Sequence, residues 1–289
     1  MPSSTRQGPS KSRIDRTRRV LGLLLLGIPL SGFGGIESWL APSKKLWPRW
    51  TRHDERSTRS IDHTPWDRLL ATHLVPAEIN LFRYAQVDAV DRQRLKTYIG
   101  DLASVPISSY RHAEQLAYWI NLYNALTVDL VVDRYPVKSI RDIAISPGLF
   151  SYGPWDKKLV QVEMEQLSLN DIEHRILRPI WQDANIHYAL NCASLGCPNL
   201  AREAYTADNT AALMKRGAAD FINGHGVRFE GSRVVVSSIY AWFTADFGGT
   251  EAAVLDHLRR YARPPLQQRL VGLSSIDGDS YDWRLNDAS

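Results

Sequence analysis

The sequence predicts an α+β fold: a single mostly helical domain with a small, partly antiparallel sheet. Stretches with helical spacing of apolar residues dominate the chain, and short strand-like stretches are scattered among them instead of alternating regularly with helices. No internal repeat or low-complexity segment breaks up the last ~228 residues, a length that supports one substantial core.

Residues 66–74 read as a helix, 80–85 as a short strand and 90–102 as an amphipathic helix. Residues 111–133 are apolar on nearly every side, which marks a central buried helix; Tyr135-Pro136 ends it. Residues 158–162 alternate as a strand. Ser168 and Asp171 have capping-box spacing ahead of a helix at 172–177. The apolar run 186–190 reads as a buried strand that opens into the turn Ser194-Leu-Gly-Cys-Pro198. A helix at 206–223 precedes a hairpin, 227–229 with 233–236, around Glu230-Gly231. Helices at 239–246 and 251–262 follow, and the chain closes in short extended segments.

The formal net charge of +4 is uneven. Residues 1–19 hold six basic groups and one acidic, and residues 41–60 hold six basic and two acidic, whereas residues 61–289 hold 23 basic and 27 acidic. The overall pI near 9.0 therefore belongs to the N-terminal segments and not to the domain. Nucleic acid is excluded as a partner on this reading, since phosphate binding needs a basic stripe on the folded part.

Arg6, Lys11, Arg13, Arg16, Arg18 and Arg19 precede an uncharged run over residues 20–36. That is the layout of a basic n-region and an apolar h-region, and the run is shorter than the ~20 apolar residues of a spanning helix. Residues 1–40 are thus expected to be a signal peptide or N-terminal anchor, 41–61 a basic linker and 62–286 the domain. The protein is expected to be exported, periplasmic or anchored facing the periplasm, with possible membrane association through its N-terminus.

The stretch His187-Tyr-Ala-Leu-Asn-Cys-Ala-Ser-Leu-Gly-Cys-Pro198 holds both cysteines of the chain. Three readings compete for Cys192 and Cys197. They form a local disulfide or an inert buried pair. Alternatively, Cys192 is a nucleophile deprotonated by His187, with Asn191 and the turn amides stabilising an oxyanion. The weakest reading is a metal site on His187, Cys192 and Cys197, whose spacing does not match common structural zinc sites; no metal and no cofactor is expected. An ideal strand would point residues 187 and 192 to opposite faces, so the pair converges only if the chain turns first.

A second constellation lies on the central helix. Glu114, Asn121 and Asn124 share one face amid apolar neighbours, and buried amides and carboxylates must be paired. They either satisfy irregular backbone or, facing the cysteine turn, orient a substrate amide; Ser194 is a further candidate substrate contact. Of Glu173-His174, which point about 100° apart on a helix, His174 is kept as an alternative imidazole. His63, His73, His225 and His257 look incidental. The aromatic residues offer material for a carbohydrate or peptide groove, although Trp119, Trp242 and Trp283 sit in apolar patterns that read as core.

Four motifs, Tyr118-Trp-Ile-Asn-Leu-Tyr-Asn-Ala-Leu126, Leu167-Ser-Leu-Asn-Asp-Ile-Glu-His-Arg-Ile-Leu-Arg178, the 187–198 segment and Tyr281-Asp-Trp-Arg-Leu-Asn286, resemble the family called domain of unknown function 547 (DUF547) in their order and content. The likeness extends over about residues 62–286. It implies a domain boundary and no reaction, because the family carries no established activity.

No phosphate loop, dinucleotide fingerprint, GxSxG elbow or HExxH is present, which removes nucleotide-dependent and common serine or zinc chemistry. The leading expectation is a cysteine-dependent amide or acyl hydrolase or transferase using Cys192 with His187, acting on a peptide, an amide or an envelope component. The alternatives are a non-catalytic envelope binding or assembly domain with a structural Cys192–Cys197 disulfide, and a thiol–disulfide redox protein. Fusing residues 1–60 to alkaline phosphatase tests the leader: activity outside the cytoplasm is expected, and an inactive fusion refutes it.

Overall fold

The structure, a computed structural model, describes residues 33–34, 42–147 and 153–288. The expected leader lies outside the described residues apart from positions 33 and 34. Among the described residues, eight α-helices and seven short strands in three small sheets give the α+β class. No helix among the described residues is long and apolar enough to cross a membrane.

The helices are α1 (Thr64–His73), α2 (Ala89–Ser104), α3 (His112–Arg134), α4 (Arg178–Trp181), α5 (Thr210–Asn223), α6 (Ser238–Trp242), α7 (Glu251–Tyr261) and α8 (Pro264–Leu270). Strands β1 (Leu74–Val75) and β2 (Leu81–Phe82) pair antiparallel, as do β3 (Val160–Val162) and β4 (Glu165–Leu167). In the third sheet β5 (Val227–Glu230) pairs antiparallel with β6 (Arg233–Ser237), and β7 (Gly278–Ser280) adds to β6 in parallel.

α3 is the axis of the larger core. Its apolar residues face inward all round, and Ala117, Ile120, Leu122, Ala125 and Val131 are fully buried. α2 and a π-helical turn at Asp171–Leu177, which runs on into α4, pack against it. The smaller core joins α5, α7 and the β5–β7 sheet through Phe221, Ile222, Val234, Val236, Leu255 and Leu258.

The capping box holds as expected: Ser168 N donates to Asp171 Oδ2 at 2.9 Å and Asp171 N donates to Ser168 Oγ at 3.2 Å. Three expected elements take another form. Residues 186–190 are not a strand; Ala184–Tyr188 is a 3₁₀ turn, opened by the Asp183 side chain accepting from Asn185 N at 2.8 Å. A short apolar run fits either geometry, and the cap decides. Residues 206–209 precede α5 as a reciprocal side-chain turn, with Thr206 N on Asn209 Oδ1 at 2.7 Å and Asn209 N on Thr206 Oγ1 at 3.2 Å. The expected helix at 239–246 breaks at Phe243 into α6 and a 3₁₀ turn at Thr244–Phe247.

Residues 42–61, expected as linker, lie on the domain. Lys45 N and Trp47 N donate to the carbonyls of His174 and Arg175 at 3.0 and 2.9 Å, and Trp50 is 2% exposed against Trp119. Charge alone concealed this, because two tryptophans anchor the strap and two of its arginines lie over aromatic rings, Arg49 on Trp50 and Arg59 on Tyr110.

The polar face of α3 binds loops. Asn121 Nδ2 donates to Tyr205 O at 2.7 Å while Tyr205 N donates to Asn121 Oδ1 at 3.0 Å. Asn124 Nδ2 donates to Ala189 O at 2.9 Å and accepts from Asn191 N at 2.9 Å. Glu114 accepts from Ile61 N at 2.8 Å. The side chains offered as substrate contacts are thus committed to backbone. Asn124→Ala, which strands a buried carbonyl and a buried N–H, is expected to cost about 2–4 kcal/mol; urea unfolding measures it, and a loss below ~0.5 kcal/mol, the range of neutral surface changes, refutes the clamp.

Candidate functional site

The loop that follows the 3₁₀ turn folds back on itself. Asn191 Nδ2 donates to Pro198 O at 2.8 Å and Asn191 Oδ1 accepts from Ala193 N at 2.9 Å, closing the loop at both ends. Ala193 adopts the left-handed region at φ 60°, a conformation that costs a non-glycine residue about 1–2 kcal/mol. The C-terminal segment fixes it: Asn286 N donates to Ala193 O, Leu195 N to Arg284 O and Gly196 N to Asp282 O. Gly196 is required by that approach, since a Cβ there would lie 2.7 Å from Asp282 N.

This folding brings Cys192 Sγ to 2.6 Å from Cys197 Sγ, closer than two sulfurs normally pack and outside the ~2.05 Å of a bond. Both thiols are free. Cys192 is half-buried and Cys197 buried. Cys192 N donates to Cys197 Sγ at 2.9 Å. Ser194 Oγ lies 3.2 Å and the Tyr281 hydroxyl 3.0 Å from Cys192 Sγ, and the two hydroxyl oxygens are 2.9 Å apart.

These neighbours separate the two thiols electrostatically. Burial opposes ionisation of Cys192, but hydrogen bonds from the Cys197 thiol, Ser194 and Tyr281 outweigh it and hold Cys192 below the ordinary thiol value. Burial and the adjoining sulfur push Cys197 well up. Burial, with both thiols nearby, also pushes the Tyr281 phenol well up, so it remains a donor.

His187 does not join them. Its Nε2 faces Asp246 Oδ2 at 2.9 Å and its Nδ1 lies 3.8 Å from Glu173 Oε1, while its ring stacks on Phe243 at 4.5 Å. Asp246 also receives Arg178 Nε at 2.6 Å and pairs with Lys44 at 3.0 Å. Burial opposes the charge on Asp246, yet His187 and Arg178 hold its carboxyl well below the usual range. His174 Nδ1 accepts from Arg178 at 2.7 Å and is neutral; burial pulls it down to about 4. His187 and His174 therefore belong to a buried ionic cluster under Phe243. The expected pairing of Cys192 with His187 is not made, because the 3₁₀ turn directs residue 187 away from the thiols. The Nε2 of His225 faces the backbone oxygen of Cys197 at 3.0 Å.

Of the sequence candidates, Cys192, Cys197, Ser194 and Asn191 converge; His187, His174, Glu114 and Asn121 do not. Tyr281 was legible only within its motif. Asp246 and Trp242 carried no local signal. Trp242 and Trp283, read as core, are half-buried; they surround Tyr281 with ring centroids at 4.8 and 4.6 Å. Among the described residues no cluster of His, Cys, Asp and Glu has metal-binding geometry.

Residues 107–222 match the model of the family described as protein of unknown function, DUF547. The chain resembles that family from the approach to α3 to the end of α5, a stretch that includes the thiol loop but not Tyr281, Trp242 or Asp246. No curated protein and no solved structure matches the chain.

His63 and His257, bound to the hydroxyls of Tyr98 and Tyr188 at 2.7 and 2.9 Å, are also pulled by burial to about 4. With His174 they are neutral in the fold and take up protons near 6.5 once unfolded. The unfolded chain then binds more protons between pH ~6.5 and ~4, so stability is full above this window and falls as pH drops through it. Urea midpoints across the window test this, with a shallower slope expected for His174→Gln; a flat profile refutes it.

Proposed function

We propose that Cys192 and Cys197 form a redox-active dithiol that exchanges electrons with protein disulfides. The observation that carries this reading is the contact of two free sulfurs, one half-buried with a lowered pKa and the other buried with a raised one. Such a pair divides naturally into an attacking and a resolving thiol. The hydrolase expectation needs a base on Cys192, and the neighbours of that sulfur are a thiol and two hydroxyls.

The Cys192 thiolate, having lost its proton to solvent, attacks one sulfur of a substrate disulfide. The substrate S–S bond breaks, and the departing sulfur leaves as a thiolate that takes up a proton. Cys197 then gives up its proton and attacks Cys192 Sγ; the Cys192–Cys197 bond forms, and the second substrate thiol leaves. Two electrons and two protons pass from the dithiol to the substrate, and the reverse sequence oxidises it. Tyr281 and Ser194 stabilise the attacking thiolate through their hydroxyls. The expected leader supplies the context, since disulfides persist in an oxidising exported compartment.

At neutral pH Cys192 is expected to react with iodoacetamide ~10-fold or more faster than Cys197, one pKa unit being a factor of ten in thiolate. Hydroxyethyl disulfide should convert the unaltered protein to the internal disulfide, and Cys197→Ser should stop at the mixed disulfide on Cys192. Tyr281→Phe should slow Cys192. Equal reactivity of both thiols, or a Cys192–Cys197 bridge that resists mild reductants, overturns the reading; the second result identifies a structural disulfide.

A further inference from the structure

Beside Cys192 stands a continuous wall of half-buried aromatic rings that thiol chemistry alone does not require. Tyr281, whose hydroxyl meets Cys192 Sγ at 3.0 Å, is flanked by Trp242 and Trp283. Those two stack on one another at 5.6 Å, and Trp155 meets the edge of Trp283 at 5.7 Å. All four remain partly open to solvent. Large aromatic rings left partly exposed side by side forfeit burial energy, and such groups are the usual anchors of binding surfaces.

The wall is fixed in place. Residues 281–285 hydrogen-bond to the thiol loop at Leu195 and Gly196, and Leu285 N donates to Lys138 O. The charges beside the rings are engaged: Asp282 and Arg284 pair with each other at 2.5 Å, and the Arg141 guanidinium is held on the face of Trp283 at 5.0 Å. A small charged disulfide would need ionic partners that these pairings occupy. A ligand that reacts with Cys192 must present sulfur, and one that also covers an uncharged aromatic wall must present apolar side chains; a polypeptide does both.

We propose that Tyr281, Trp242, Trp283 and Trp155 form the substrate subsite that binds an uncharged, apolar polypeptide segment flanking the disulfide attacked by Cys192. This rests on the redox reading of the thiol pair.

A fluorescein-labelled peptide with serine in place of its cysteines and Leu, Val and Phe as neighbours is titrated with the reduced full chain, against a counterpart flanked by Asp and Lys. The apolar peptide is expected to bind at least ~10-fold more tightly, and Trp242→Ala and Trp283→Ala each to weaken it by about tenfold, the effect of losing a typical aromatic anchor. Equal binding of both peptides, or unchanged binding by both variants, overturns the subsite. If Trp283→Ala fails to fold, the flank comparison on the unaltered protein and Trp242→Ala decide. The two readings fail separately: binding without disulfide exchange retires the redox reading and keeps the subsite, whereas exchange without flank preference does the reverse.

Discussion

Backbone groups buried outside helices and strands must find hydrogen-bond partners, and in this protein two amides of α3 supply them. Asn124 holds Ala189 O and Asn191 N, and Asn121 holds both polar groups of Tyr205. Each carboxamide behaves like one rung of a sheet, offering a donor and an acceptor to a passing chain. Because most of the buried surface of α3 is apolar, these side chains act as register marks along it. The irregular stretch between residues 189 and 205, with the thiol loop inside it, is positioned by them.

The C-terminal segment completes what the amides begin. It runs along the thiol loop, holds Ala193 in a left-handed conformation and lays Tyr281 on Cys192. Strain of this kind persists where surrounding contacts over-determine it, and reactive sites are common places for it. Phe243 lies against the buried ionic cluster, stacked on His187 at 4.5 Å and 5.7 Å from the ring of His174. There Asp246 takes His187, Arg178 and Lys44 as partners, and the Arg178 guanidinium lies over the ring at 4.4 Å. Trp242, the residue before Phe243, joins the wall around Tyr281. A buried charge cluster needs full pairing, so the histidine that sequence proximity offers to the thiols is held away from them.

The resemblance to the DUF547 family covers α3 and the thiol loop with Cys197 and Ser194, whereas Tyr281, the third hydrogen-bond partner of Cys192, lies outside the matched residues. Ser194 is local, whereas Tyr281 stands 89 positions away. Among the groups that lower the Cys192 pKa the local thiol of Cys197 comes first and Ser194 second, and Tyr281 adds a third hydrogen bond from far along the chain.

Periodicity by itself determined the longer helices α1, α2, α3, α5 and α7, the hairpin of 227–229 with 233–236, the capping box of Ser168 and Asp171 and the α+β class, because these depend on neighbours three or four positions apart or on alternate residues. It also marked 187–198 as the chemical centre and the polar face of α3 as something that must be paired. Only the tertiary structure decided the 3₁₀ form of residues 184–188, since a short apolar run fits either geometry and the Asp183 cap selects one. Packing likewise turned a charge-rich strap into a tryptophan-anchored one and left Trp242 and Trp283 half-exposed. Above all, it chose the partner of His187: an imidazole five residues from a thiol has no obligation to meet it, and Asp246, 59 positions along, offers a full charge where Cys192 would offer a weak acceptor.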